Sequence, residues 1–335
     1  MNNNNNYFYD EILSELLDSA GIEIPDSVTD LQFSDMTDTV LTELEQQIHT
    51  PLQIFSVLTG IIFLSALAGN LRHEKSAVSR ICDMTAVLCA AGTVILPITE
   101  AFQSCTQILE QTAGFMTAFS GVFGGILAVS GHLTASAGYQ GAMLLLCNIA
   151  LEIAVKILFP FLMTGIAVSL TDAVNPEISL SGILKFIQKL TVWILGFLMS
   201  LFLGFLSVQS VITVSADRAG TKAAKYAISG FVPFIGGAVS DAYAAVLGSM
   251  SVLKSAVGVT GIIAILILLL PVMIKLFLYK MLMALASGIS ELFGLDQLCK
   301  LFQNTESVLS IGFSVSVSFS VMFIIGTGLL ITIAS

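Results

Sequence analysis

Apolar runs long enough to cross a bilayer recur along this chain, and that recurrence limits the fold more than any other feature. A spanning helix needs about 20 predominantly apolar residues. On that scale eight candidate spans follow one another, at 52–71, 81–99, 114–132, 141–170, 190–214, 227–248, 256–279 and 307–333. The sixth differs from the rest because Pro233, Gly236, Gly237 and Asp241 divide it into two weak halves. In hydrocarbon every backbone polar group must be bonded within the protein. The pattern therefore predicts an all-α fold: a polytopic transmembrane helical bundle of about eight spans, one of them broken or re-entrant-like. Composition agrees, with 56% hydrophobic and 11% charged residues against roughly 25% charged in soluble domains. Two amphipathic stretches, 178–190 and 289–302, read as short helices lying at the interface.

Two parts are expected: an acidic extracytoplasmic N-terminal arm at 1–51 and a polytopic membrane domain at 52–335. The formal net charge of -10 belongs largely to the arm, where no Lys or Arg precedes Arg72. After an Asn run, apolar stripes at Ile12, Leu13, Leu16 and Leu17, then at Met36, Val40, Leu41, Leu44 and Ile48, predict two amphipathic helices. Their polar faces carry Asp and Glu, which anionic lipid repels. A protein partner or the chain's own membrane domain suits them better. The first 50 residues show neither the basic nor the apolar region of a secretory signal. The span at Leu52 is thus read as an internal anchor.

Cations accumulate on the cytoplasmic side of membrane proteins. Arg72, Lys75 and Arg80 place the first connection inside, and Arg218, Lys222 and Lys225 do the same for the segment after the fifth span. Lys275 and Lys280 mark the inner end of the seventh, Glu100, Glu110, Asp172 and Glu177 fall outside with Lys185, Lys189 and Lys254 as the cations there, and both termini are expected outside.

Several function classes are excluded by what the chain lacks. There is no basic footprint for nucleic acid. Neither a phosphate loop, a Gly-x-Ser-x-Gly elbow, a His-Glu-x-x-His pair nor a dinucleotide fingerprint occurs, so no enzyme and no cofactor is expected. Five scattered cysteines without a Cys-x-x-Cys pair read as small hydrophobes, and His49, His73 and His132 stand singly. Two features carry possible chemistry within the spans. Glu152 and Lys156 stand four apart in the favourable order for a same-face helical pair, and are expected to face protein or water. Gly121, Gly124, Gly125 and Gly131 offer small-residue spacing for close helix approach.

The segment 207–217, Ser-Val-Gln-Ser-Val-Ile-Thr-Val-Ser-Ala-Asp, is followed by Lys222-Ala223-Ala224-Lys225, Phe231-Val232-Pro233, Gly236-Gly237, Ser240-Asp241 and Leu253-Lys254-Ser255-Ala256-Val257-Gly258. As an ordered series these resemble the stage III sporulation protein AE family, most densely from Ser207 to Gly261. The resemblance implies a mother-cell membrane component of the channel that joins mother cell and forespore in endospore formers. It also implies partners: the other stage III A operon membrane proteins, their cytoplasmic ATPase, and the forespore protein Q. Family members usually begin with a signal peptide, from which this sequence departs. The functional centre expected on this basis holds Asp217, Lys222, Lys225, Pro233, Gly236, Gly237 and Asp241. A second reading, from another class, is an autonomous secondary transporter with a substrate site at the broken sixth span.

Overall fold

A computed structural model describes residues 33–70, 77–129, 133–174, 179–231 and 236–334; side chains from 210 to 256 and at several segment ends lie outside the description. Every regular element among the described residues is helical. The order is α1 (Phe33–Asn70), α2 (Ala77–Val129), α3 (Leu133–Ile153), a π turn (Ala154–Leu158), α4 (Phe159–Val174), α5 (Ser181–Phe231), α6 (Gly236–Leu292) and α7 (Asp296–Ala334).

The class is the one expected, an all-α membrane bundle, but the spans are fewer. Six segments of the described residues are long and apolar enough to cross a membrane. Spans two and three are one helix, α2, because nothing between them ends a helix. The polar stretch Glu100–Gln111 consists of helix-compatible Glu, Gln, Ser and Thr among apolar residues, and Pro97 is absorbed inside α2. The sixth candidate span is not an element of its own either. Residues 227–231 end α5 and 236–248 begin α6, so the interruption around Pro233 falls between two helices rather than within one. The expected interface helices are likewise parts of longer elements. Residues 181–190 open α5, and 289–302 is divided by the turn between α6 and α7. Of the two arm helices, the first lies outside the described residues; the second is the start of α1, which runs on through Pro51.

A continuous helix meets one bilayer once. The fusion therefore changes the count of crossings between Lys75 and Lys222 from four to three: α2, the α3–α4 unit and α5. Lys75 and Lys222 then belong to opposite sides. Lys185, Lys189 and Lys300 stand near the end of the bundle where α2 begins, and by charge that end is expected to be the cytoplasmic one. At 1.5 Å per residue, α2, α5 and α6 are about 75–85 Å long and overrun a bilayer of about 45 Å with its headgroups.

Helix α7 is central and packs on α2, α4, α5 and α6. Phenylalanines fill the seams: Phe115, Phe119 and Phe123 of α2 follow one another with ring centroids 5.8 and 5.7 Å apart, and Phe102 meets Phe159 at 5.9 Å. The bundle's outside is apolar as well. Leu64, Leu96, Phe186 and Trp193 are each about two-thirds exposed, a surface suited to lipid rather than water. Hydroxyls inside are satisfied locally, for example Thr112 to the carbonyl of Ile108 at 2.7 Å and Ser320 to that of Ser316 at 3.0 Å. Among the described glycines of the third predicted span, Gly124 is the one where a Cβ would meet a neighbouring side chain, that of Gln140. Ser136 Oγ of α3 donates to the Gly124 carbonyl at 2.7 Å, while Gly121 and Gly125 have open space where a Cβ would lie.

The turn into α7 is set by Gly294, whose φ of 68° is cheap only for glycine. Leu295 N–H donates to the Ser290 carbonyl at 2.9 Å and Gly294 N–H to that of Glu291 at 3.0 Å, a Schellman ending that satisfies the last carbonyls of α6. This turn carries the chain into the candidate site.

Candidate functional site

Polar side chains gather in three places among the described residues. The first is the Glu152–Lys156 pair. Pro160 has no N–H to offer the Lys156 carbonyl one turn back, and the helix widens just before it. Phe159 N–H donates to the Ala154 carbonyl, five residues back, which makes the π turn. Lys156 Nζ lies 2.5 Å from Glu152 Oε1, and the two side chains are 68% and 65% exposed. The pair thus faces away from the bundle, beside the exposed apolar side chains of Leu145, Ile149 and Ile157. A single unpaired charge at a bilayer centre costs about 2.5–3.5 kcal/mol on the insertion scale. Glu152→Gln and Lys156→Gln are therefore each expected to lower accumulation of the protein more than the double variant does. Equal or additive defects on quantitative immunoblots would show that the two charges are independent.

The second place is the contact of α6 with α2 and α7. Lys275 Nζ donates to Ser104 Oγ at 3.5 Å, and Lys280 Nζ lies 4.0 Å from Glu306 Oε1. These lysines do not mark a helix end, as their positions in the sequence imply; α6 runs on to Leu292. They are partly buried cations tying helices together, in a position where the sequence shows only isolated charges.

The third is a cavity of about 540 Å³ at the end of the bundle where α1, α2, α4, α6 and α7 meet. Asp83, Asp172, Glu291 and Asp296 line it with Ser65, Gln297 and Gln303, and Lys300 is the cation among its lining residues. Asp172 is 5% exposed. Its Oδ1 accepts from Leu180 N–H at 2.5 Å and its Oδ2 from Asn304 Nδ2 at 3.2 Å, which fastens the α4–α5 connection to α7. The sequence sets Asp172 outside the membrane and far along the chain from Asp83. The structure brings them together. No group of three His, Cys, Asp or Glu side chains among the described residues is placed to hold a metal ion.

The remaining expected residues are only partly described. Asp217, Lys222 and Lys225 lie in the last turns of α5, and Gly236, Gly237 and Asp241 in the first turns of α6; their side chains lie outside the described residues, as does Pro233 altogether. From Ser181, Asp217 stands about 54 Å along α5, so this group is far from the cavity.

The profile of the stage III sporulation protein AE family matches residues 22–334, every helix of the bundle. The chain belongs to this family. It is 23% identical over 213 residues to stage III sporulation protein AE of Bacillus subtilis (strain 168), a match over 62% of this chain and 53% of that protein. The chain spans about half the length of this curated relative. No solved structure matches it. Membership in the stage III sporulation protein AE family ties the chain to sporulation, and all the candidate residues above lie within the stretch matched.

Proposed function

We propose that this chain is a non-enzymatic integral membrane subunit of the channel, or secretion-like complex, between mother cell and forespore. It resides in the mother-cell membrane around the forespore. It works there with the other stage III A operon membrane proteins, their cytoplasmic ATPase and, through the complex, forespore protein Q. The observation that supports this reading is the family match over the whole helical bundle. The bundle has the form such a subunit needs: an apolar exterior for lipid, and helices α2, α5 and α6 that overrun the membrane and offer surface beyond it. The transporter reading drew on a broken sixth span, and residues 227–248 are divided between two helices. No described feature favours it.

The test is isolation of a tagged, functional copy from sporulating cells in mild detergent. The ATPase and protein Q are expected in the eluate, and deletion of the chain is expected to reduce spore yield by orders of magnitude. A tagged copy that restores spores yet elutes without any of these partners would contradict the channel reading.

A further inference from the structure

Helix α5 opens with two cations followed by two aromatic rings on one outward stripe. Lys185, Lys189, Trp193 and Phe197 follow one another at four-residue steps, a spacing that keeps them on one side of a helix, and all four are exposed. Neither lysine forms an ion pair among the described residues, and no Asp or Glu occurs from 181 to 209 to neutralise them. Trp193 stacks on Phe197 with ring centroids 5.7 Å apart and planes 5° apart, and Phe186 is 65% exposed one residue after Lys185. The bundle is closed by the opposite side of α5, through Leu184, Leu195, Leu198 and Phe202.

The order along the stripe matches the layers of one membrane leaflet. Residues 190–208 run without a charge for about 28 Å, close to the hydrocarbon core of about 30 Å. Lys189 thus stands at the edge of the hydrocarbon and Lys185 about 6 Å further out, at headgroup level. Trp193 falls about 6 Å inside, at the depth of the aromatic belt of membrane proteins. Two ammoniums a turn apart attract a headgroup of net negative charge and gain little from a zwitterionic one. We propose that this stripe binds an anionic phospholipid, with its phosphate at Lys185 and Lys189 and its upper acyl chains against Trp193 and Phe197. The site rests on α5 crossing the bilayer and not on the channel reading.

Trp193 is the single tryptophan of the chain, so indole fluorescence reports on this stripe alone. The test reconstitutes the full chain in phosphatidylcholine liposomes that carry the same minor fraction of either brominated phosphatidylglycerol or brominated phosphatidylcholine, because bromine quenches an indole only at contact. The brominated phosphatidylglycerol is expected to quench Trp193 about threefold more than its zwitterionic counterpart, as lysines beside an anionic surface imply. Lys185→Gln with Lys189→Gln, both at exposed positions, should bring the two lipids level. Lys300→Gln removes a cation of α7 away from the stripe and should leave the preference intact. Melting of each variant in the same liposomes checks that it is folded. Equal quenching of the parent by both lipids overturns the site, as does a preference that survives the loss of both lysines or falls as far in Lys300→Gln. Absence of quenching by either lipid would mean that a protein surface covers the stripe, and it overturns the assignment to lipid.

Discussion

Gly312→Val is expected to strip most of the folded protein from the membrane. A Cβ at Gly312 would lie 2.4 Å from Cε1 and 3.2 Å from Cζ of Phe102. That ring is fully buried and packed on Phe159, so it has no empty space to turn into. Helix α7 would have to draw away from α2, and α7 is the helix on which most of the bundle packs. Overpacking costs about 1–3 kcal/mol for small additions to a tight core, and valine adds more than one carbon. Gly326 provides the contrast. Its Cβ would come still closer, 2.1 Å from Met143 Cε, but that atom is the end of a flexible thioether that can swing aside. Gly326→Ala should therefore melt near the parent in detergent, Gly312→Ala clearly lower, and Gly312→Val lowest. A Gly326→Ala variant less stable than Gly312→Ala would show that side-chain flexibility does not govern these contacts.

Asp172→Leu is the second substitution with a large expected effect. It removes the acceptor for Leu180 N–H and for Asn304 Nδ2 at one stroke, and leaves both donors without a partner at a mostly buried site. Each stranded donor costs about 1–3 kcal/mol, so the loss is of the order of 2–6 kcal/mol and should unfasten the start of α5 from α7. Asp172→Asn preserves the shape. Its amide oxygen can still accept from Leu180 while the Asn304 amide turns over to accept from its nitrogen, so a loss of about 1 kcal/mol is expected. Thermal melting of both variants, with proteolysis near Ser179 and Ser181 as a local reading, checks the pair. Equal melting of the leucine and asparagine variants would mean that the carboxylate's hydrogen bonds do not hold this junction.

The helical class was legible because lipid demands it: runs of apolar residues this long have few other folds open to them. The number of crossings was not. A polar interlude such as Glu100–Gln111 resembles a loop by composition, yet none of its residues breaks a helix, and only the packed structure shows α2 passing straight through. Conversely, Pro233 and the Gly236-Gly237 pair were read as a break within a span, whereas α5 ends at Phe231 and α6 begins at Gly236, so the break lies between two helices. The Glu152–Lys156 spacing announced a same-face pair, expected to face protein or water, and the structure turns it away from the bundle. The cavity was the least accessible to sequence reasoning. Asp83, Asp172, Glu291 and Asp296 each sit near the end of an apolar run, and nothing in their spacing says that five helix ends converge on one place. Backbone register across the bundle decides that, through contacts such as Cys105 with Ser316 at 3.0 Å.

The central structural claim is that α2 is one continuous helix, so that three crossings rather than four separate Lys75 from Lys222. It is tested most directly by placing single cysteines at 75 and 222 in a background without the five native cysteines, and labelling intact cells with an impermeant maleimide. The account predicts that Lys222→Cys is labelled from outside and that Lys75→Cys is labelled only after the membrane is opened. Protection of both positions in intact cells would restore an even number of crossings between them and contradict the continuous α2.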